Sequence, residues 1–206
     1  MPNLLSKLAC IALVIAGCVP TAARKNARIE GGVDVDFTAG VQHVERGERS
    51  DGTSLGPTQI VHAEVDLQWG HKEEDGSGFA VQLKAPYTVV FTTLDFYYQL
   101  PENHGPWYFG FGAELGALPG LYGIATHYLD DDFYFSLTSR ALFAESRDEK
   151  AVLLNPQLSL GMAGETDLSA FVSYAYHTGQ GFNFDIFSDD PDYRKKYWLS
   201  GVSARF

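Results

Sequence analysis

The residues that could do chemistry are charged side chains that recur at alternate positions of otherwise apolar segments. Carboxylates in this setting could act as general acids or bases, or could select cations. The residues concerned are Asp34, Asp36, Glu64, Asp66, Lys84, Asp95, Glu114, Arg140 and Arg205. Because a charge that leaves water needs a partner, we predict a salt-bridge and hydrogen-bond network that fills a narrow interior. The excess of acids predicts that any remaining passage favours cations.

The segments that carry these charges alternate with a period of two residues. Val33, Val35 and Phe37 are separated by Asp34 and Asp36, and the same alternation continues to the C-terminus. Since successive side chains of a strand point to opposite faces, the pattern predicts an all-β protein. The predicted strands are residues 33–44, 59–69, 78–86, 90–100, 106–117, 121–129, 132–143, 152–163, 168–177 and 196–206.

The composition of the two faces predicts how these strands close. No apolar run beyond the N-terminus reaches the roughly 18 to 20 residues of a spanning helix, so a chain in a bilayer would have to form a closed β-structure. The polar face holds small residues such as Gly110, Gly112 and Gly116, which suit a crowded interior. The apolar rows end in aromatic residues, which are favoured at headgroup depth, namely Trp69, Tyr98, Trp107, Tyr176 and Trp198. We predict a single antiparallel up-and-down transmembrane β-barrel of about ten strands, with eight as the alternative.

The C-terminal segment carries a resemblance to a known class. Residues 197–206 alternate and end on Phe206, and this segment resembles the last strand of bacterial outer-membrane β-barrel proteins. The resemblance implies an outer-membrane location, contact with membrane lipid and lipopolysaccharide, and recognition of the last strand by the barrel assembly machinery. With both chain ends in the periplasm, residues 45–58 and 178–195 form outer loops and residues 164–167 form an inner turn.

The N-terminus predicts a targeting segment ahead of the barrel. Residues 1–17 have the charge and apolar stretch of a signal peptide, residues 18–30 form a polar linker, and residues 31–206 form the barrel. Residues 15–18 (Ile-Ala-Gly-Cys) resemble the lipobox of bacterial lipoproteins, which implies a lipidated Cys18 as the first mature residue. Cleavage after Ala23 is the alternative, and the sequence leaves both open.

An enzymatic function is the first alternative to a non-catalytic barrel. His62, His127 and His177, with Glu64 or a serine, could imitate a hydrolase, but catalysis needs a nucleophile and a base within hydrogen-bond distance. No segment matches a motif of a lipid A deacylase or palmitoyltransferase. We therefore predict no catalytic residue and no cofactor.

The remaining signals concern partners. The loop of residues 178–195 interleaves phenylalanines with aspartates, and it could contact an extracellular partner or a divalent cation, or be a solvated acidic loop. We predict no metal site. A net charge of -11 and a pI near 4.8 give nucleic-acid binding no electrostatic support. The leading hypothesis is a structural, surface-interaction or limited-permeability role in the outer membrane. The alternatives are a lipid A-modifying barrel enzyme and a lipid-anchored, lipocalin-like binder of an apolar ligand.

Overall fold

The computed structural model describes residues 21–45, 58–86, 93–102, 105–116, 119–146, 149–178 and 196–206. Within these residues the chain forms the strands β1 (Gly32–Glu45), β2 (Thr58–Lys72), β3 (Gly78–Pro86), β4 (Thr93–Gln99), β5 (Trp107–Leu115), β6 (Gly120–Tyr128), β7 (Phe133–Ser146), β8 (Glu149–Met162), β9 (Asp167–Thr178) and β10 (Lys196–Arg205). Each strand pairs antiparallel with its neighbours along the chain, and β10 pairs with β1, so the sheet closes into a barrel. None of the described residues forms a helix that is long and apolar enough to cross a membrane.

The predicted ten strands are confirmed, and the alternative of eight is wrong. The segment at residues 121–129 forms β6, which pairs with β5 and with β7 over its whole length. The clearest difference is at β8, which begins at Glu149 rather than at residue 152, because β7 and β8 remain paired up to Ser146 and Glu149.

The two ends of the barrel differ in their connections. At one end, which we call the turn end, the strands are joined by residues 73–77, 100–106, 129–132 and 163–166. The first and last strands also meet there, where the main-chain N–H groups of Val35 and Phe206 each donate to the other residue's carbonyl at 2.9 Å. The long connections, residues 46–57 and 179–195, join strands at the opposite end, the loop end. The loop end also has the shorter connections of residues 87–92, 116–119 and 147–148. The two longest connections are nevertheless at the same end, as is typical of outer-membrane barrels.

The apolar rows of the strands face outward, as the sequence predicts. Phe37 and Val172 are 51% and 41% exposed, whereas Asp66, Lys84 and Asp95 on the opposite face are at most 2% exposed. In a barrel with water outside, the polar row would be the solvated one. This barrel has the reverse arrangement, with an apolar outer wall and a packed polar lumen, which is the arrangement that a lipid bilayer requires.

Aromatic side chains cluster on the outer wall at two levels. Near the turn end, the Trp69 and Phe79 rings lie 5.1 Å apart, and Trp107 packs against its neighbours on β6 and β7. Towards the loop end, the Tyr174 and Trp198 rings lie 4.5 Å apart. An amphipathic ring is most stable at headgroup depth, so the two levels mark the two interfaces of a membrane.

Glycines on the lumen side make room for tyrosine rings. The Tyr97 and Tyr122 rings are parallel, with centroids 6.2 Å apart. A Cβ atom at Gly110 would overlap the Tyr97 ring, and one at Gly112 would overlap both the Tyr122 ring and the main-chain oxygen of Phe96. These glycines therefore let large side chains lie flat against the inner wall, which confirms the crowded interior that the sequence predicts.

We expect Gly112→Ala to lower the free energy of unfolding of the barrel by about 1 to 3 kcal/mol, because the added methyl group collides with a main-chain atom that cannot move independently. Urea titration followed by tryptophan fluorescence in lipid vesicles measures this change. Gly123→Ala is the matched control on the neighbouring strand, since the nearest atom to its Cβ lies 3.9 Å away. Equal effects of the two substitutions would contradict the packing argument.

Candidate functional site in the barrel lumen

The lumen is occupied by the chain's own N-terminal segment. Residues 21–30, which we call the N-terminal plug, belong to no strand and lie inside the barrel. Ala27 and Ile29 are fully buried, and Ala22 and Ala23 are 2% exposed. The C-terminal end of the plug lies at the turn end, where Ile29 contacts Gln99. Its N-terminal end reaches the middle of β7, where Thr21 contacts Arg140. The sequence predicted only a polar linker for these residues, so their place inside the lumen is a new feature of the structure.

The half of the plug near the turn end is held through its main chain. The N–H group of Ala27 donates to Thr126 Oγ1 at 2.8 Å, and the carbonyl of Ala27 accepts from Tyr97 Oη at 2.6 Å. The N–H group of Ile29 donates to Gln99 Oε1 at 2.6 Å. These main-chain groups have no hydrogen-bond partner within the sheet, so side chains that face the lumen serve as their partners.

The deeper half of the plug is held in the same way by other strands. The Gln157 side-chain amide both accepts from the N–H group and donates to the carbonyl of Ala23, each at 3.0 Å. Thr138 Oγ1 donates to the carbonyl of Arg24 at 2.8 Å, and the N–H group of Ala22 donates to Glu64 Oε2 at 3.3 Å. Side chains from several sides of the barrel thus bind the backbone of one segment, which bends at Lys25.

An ionic cluster meets the tip of the plug. Glu114 accepts from Lys84 Nζ at 2.7 Å and from Arg140 Nη1 at 3.1 Å, and all three side chains are at most 2% exposed. The two cations also donate to the plug, Lys84 to the carbonyl of Ala22 at 3.2 Å and Arg140 to the carbonyl of Thr21 at 2.7 Å. Glu114 therefore holds two cations in place, and these cations in turn bind the plug's carbonyl groups.

The plug carries three cations of its own. Lys25 Nζ lies 3.1 Å from Asp36 Oδ2 and donates to Thr38 Oγ1 at 2.6 Å. The Arg24 guanidinium carbon lies 4.2 Å from the centroid of the Tyr97 ring, a cation–π contact. The Arg28 guanidinium carbon lies 5.8 and 5.6 Å from the centroids of the Tyr108 and Tyr128 rings. Each cation of the plug thus has a carboxylate or an aromatic ring on the inner wall as its partner.

The charges of wall and plug are complementary. Away from the rims, the inward-facing acids among the described residues are Asp34, Asp36, Glu64, Asp66, Asp95, Glu114 and Asp167, and the inward-facing bases are Lys84, Arg140 and Arg205. The wall therefore holds more acids than bases, and the plug adds Arg24, Lys25 and Arg28 against a single acid, Glu30. Because this charge is enclosed, the cations of the plug neutralise part of the wall's excess of acids.

Little open space remains beside the plug. A polar cavity of about 30 Å³ lies between the plug and the strands β1, β2, β3, β9 and β10. Asp66 Oδ1 and Gln82 Oε1 in its lining have no hydrogen-bond partner. A polar space of this size holds roughly a single water molecule. This cavity is therefore too small to admit larger solutes.

The structure places the predicted charged residues in this lumen. Asp34 accepts from Gln68 at 3.1 Å and Asp66 from Gln82 at 3.0 Å. Asp95 accepts from Tyr122 Oη at 2.6 Å and lies 3.6 Å from Lys84. Asp36, Lys84, Glu114 and Arg140 form the ion pairs described above, and Glu64 binds the plug. The arrangement is a network of mutually bound groups that contacts the plug.

The histidines are not brought together. His62 lies in the lumen, 3.4 Å from Glu64, whereas His127 packs on the outer wall between Trp107 and Phe135. The side chain of His177, the residue Cys18 and the loop of residues 179–195 lie outside the described part of the chain. Among the described residues, no group of three or more His, Cys, Asp or Glu side chains could hold a metal ion.

Sequence reasoning missed the plug's cations and their aromatic partners. Arg24, Lys25 and Arg28 form a basic stretch in a chain with a net charge of -11, and this contrast with the acidic strands was the available signal. Asp167 was also missed, although it accepts from Tyr134 and Arg205 at 2.8 and 2.6 Å. It stands at the boundary of a predicted turn and a strand, where the alternation does not yet show which face a side chain takes.

Glu114→Ala should lower the free energy of unfolding by about 3 kcal/mol or more, because it leaves Lys84 and Arg140 as buried cations without their shared carboxylate. Urea titration in vesicles measures the change. Glu73→Ala is the control, since the His71–Glu73 pair is more than half exposed and contributes less than about 1 kcal/mol. A loss at Glu114 no larger than that at Glu73 would show that the ionic cluster does not stabilise the fold.

No protein-family model and no curated protein matches this sequence. The fold is similar to that of the NanC porin (10% identity, 80% of this chain and 98% of that chain, TM-score 0.35). It is also similar to Neisserial surface protein A (13%, 89% and 100%, TM-score 0.32) and to the attachment invasion locus protein Ail of Yersinia pestis (12%, 84% and 99%, TM-score 0.29). By its closed ten-strand architecture, its apolar outer wall and its packed polar lumen, the chain has the fold of a bacterial outer-membrane β-barrel.

Proposed function

We propose that this protein is an outer-membrane barrel of limited permeability, which its own N-terminal plug keeps closed and which conducts small cations when the plug loosens. The observation that carries the proposal is the plug itself, whose main chain is bound by side chains from β2, β3, β4, β6, β7 and β8. A barrel that served only as a membrane anchor would need no segment bound so specifically in its lumen.

The outer wall supports a place in the outer membrane. Its apolar residues are exposed around the barrel, and its aromatic clusters stand at two levels. Phe206 follows directly after the last strand, is 61% exposed on the outer side and lies at the seam with β1. These features fit membrane lipid and lipopolysaccharide as surroundings, and a C-terminal strand available to the barrel assembly machinery.

The inner wall supports a preference for cations. Without the plug's positive charges, the lumen would present a surplus of carboxylates, which attract cations and repel anions in a space of low dielectric constant. The lumen is also polar and filled by side chains, unlike the dry cavity that a lipocalin-like binder of an apolar ligand would need. The geometry therefore favours restricted ion passage over storage of an apolar ligand.

Cell fractionation tests the location. After expression of the full chain in a Gram-negative host, we expect the protein to sediment with outer membranes, to resist carbonate extraction, and to migrate faster on gels before boiling than after. These properties follow from a barrel that spans the bilayer and keeps its closed sheet in detergent. A soluble periplasmic protein serves as the control, and release by carbonate would contradict a spanning barrel.

Planar-bilayer recording tests the permeability. The wild-type protein should show little steady conductance, whereas the variant R24Q/K25Q/R28Q should conduct several-fold more and select K⁺ over Cl⁻. The substitutions remove the attraction between plug and wall, including the pair of Lys25 with Asp36, and leave the acids of the wall in place.

Lys72→Gln is the matched control for this recording. Lys72 pairs with Glu102 at the rim of the turn end and touches no plug residue in the contacts described. This variant should behave as the wild type does. Equal conductance of the wild type and the triple variant, or a current carried by anions, would refute the proposed function.

A further inference from the structure

We propose that the lumen is a binding site for short basic peptides in extended conformation, supplied by other molecules, and that the plug occupies this site as an intramolecular ligand. The inference rests on the proposed function, because the plug has to loosen before another peptide can enter. It goes further by naming a class of ligand.

The lumen binds the plug mainly as a backbone. The contacts of Thr126, Thr138 and Gln157 are with main-chain N–H or carbonyl groups of the plug. Every residue of a peptide has both groups, except that proline has no N–H. At two of these three contacts the plug has a small residue, Ala27 or Ala23, and at the third, with Thr138, it has Arg24. A site that recognises main-chain groups accepts any extended peptide whose side chains are small at these points, as in other proteins that bind extended segments.

Each of the three basic residues of the ligand has defined partners on the inner wall. A lysine at the position of Lys25 reaches Asp36 and Thr38, and an arginine at the position of Arg24 stacks on Tyr97. A second arginine, at the position of Arg28, lies near the rings of Tyr108 and Tyr128. The spacing of carboxylate and aromatic partners therefore selects basic side chains at defined points of an extended chain.

The wall offers more acceptors than the plug uses. Glu64 Oε1 and Asp95 Oδ2 have no hydrogen-bond partner, although their side chains are at most 2% exposed. Both lie close to the deeper half of the plug, since Glu64 binds Ala22 and Asp95 lies beside Lys84. Buried acceptors without a partner are costly, and a ligand with a further donor here would satisfy them.

Competition with the plug sets the conditions for binding. The plug is tethered to the barrel, and a short tether gives an effective concentration in the millimolar range. A free peptide at micromolar concentration therefore does not displace an intact plug. It binds when the plug is weakened, so the test needs the full chain with a weakened plug.

The test uses isothermal titration calorimetry on the full chain in detergent, with the variant R24Q/K25Q/R28Q. The probe is a synthetic peptide with the sequence of residues 21–30, acetylated and amidated. We expect the triple variant to bind this peptide at least about tenfold more tightly than the wild type does, because its plug competes less. A peptide with glutamine in place of its arginines and lysine should bind at least about tenfold more weakly than the basic peptide.

Two further substitutions locate the site. Asp36→Asn in the triple variant should weaken binding, because Asp36 is the partner of the peptide's lysine, whereas Asp75→Asn at the turn end should leave binding unchanged. Should the triple variant fail to show the faster migration of a folded barrel on unboiled gels, Lys25→Gln alone takes its place.

The outcomes separate the inference from the proposed function. Failure of the folded, weakened variant to bind the peptide, equal binding of the neutral peptide, or indifference to Asp36→Asn would overturn the inference. Increased conductance without peptide binding would refute the binding site alone. Peptide binding without increased conductance would support the site and refute the role in permeability.

Discussion

The structure depends on the balance of charge between an acidic wall and a basic plug inside a closed sheet. A closed barrel excludes most water, so a carboxylate on its inner face needs a counter-charge or a donor from the protein itself. Glu114 has Lys84 and Arg140, Asp36 has Lys25, and Asp167 has Arg205. The plug supplies cations that the wall lacks, and the wall supplies the hydrogen bonds that the plug's backbone lacks. Each therefore stabilises the other.

The size of the lumen follows from the packing of its inner wall. Tyrosine rings lie flat where Gly110, Gly112 and Gly161 leave room, and they narrow the space to the width of one extended chain. An extended chain has main-chain groups on all sides, so side chains from different parts of the barrel can bind it together. The outer wall does not take part in binding the plug, because it faces lipid and carries few polar groups.

The outer wall and the lumen have different roles. The outer wall and the hydrogen-bonded ladder hold the barrel in a membrane. Under the proposed function, the contents of the lumen decide what passes. The plug is held by side-chain hydrogen bonds and ion pairs and contributes no strand to the ladder. The sheet and the plug are thus held by different interactions.

The sequence by itself determined the positions of the strands to within a few residues and the face that most of their residues take, because the period of two is a local property of an extended chain. It left the number of strands at ten or eight, which the pairing of β6 with both of its neighbours decided. It also identified most of the inward-facing charges, which follow from the same alternation. It did not determine which charges meet, since Glu114 and Arg140 belong to β5 and β7, and only the closure of the barrel brings them within 3.1 Å. The plug was decided by tertiary structure alone. Residues 21–30 have no periodicity of their own, and Ala23 meets Gln157 across 134 residues of chain because the barrel encloses a space that one extended segment fills.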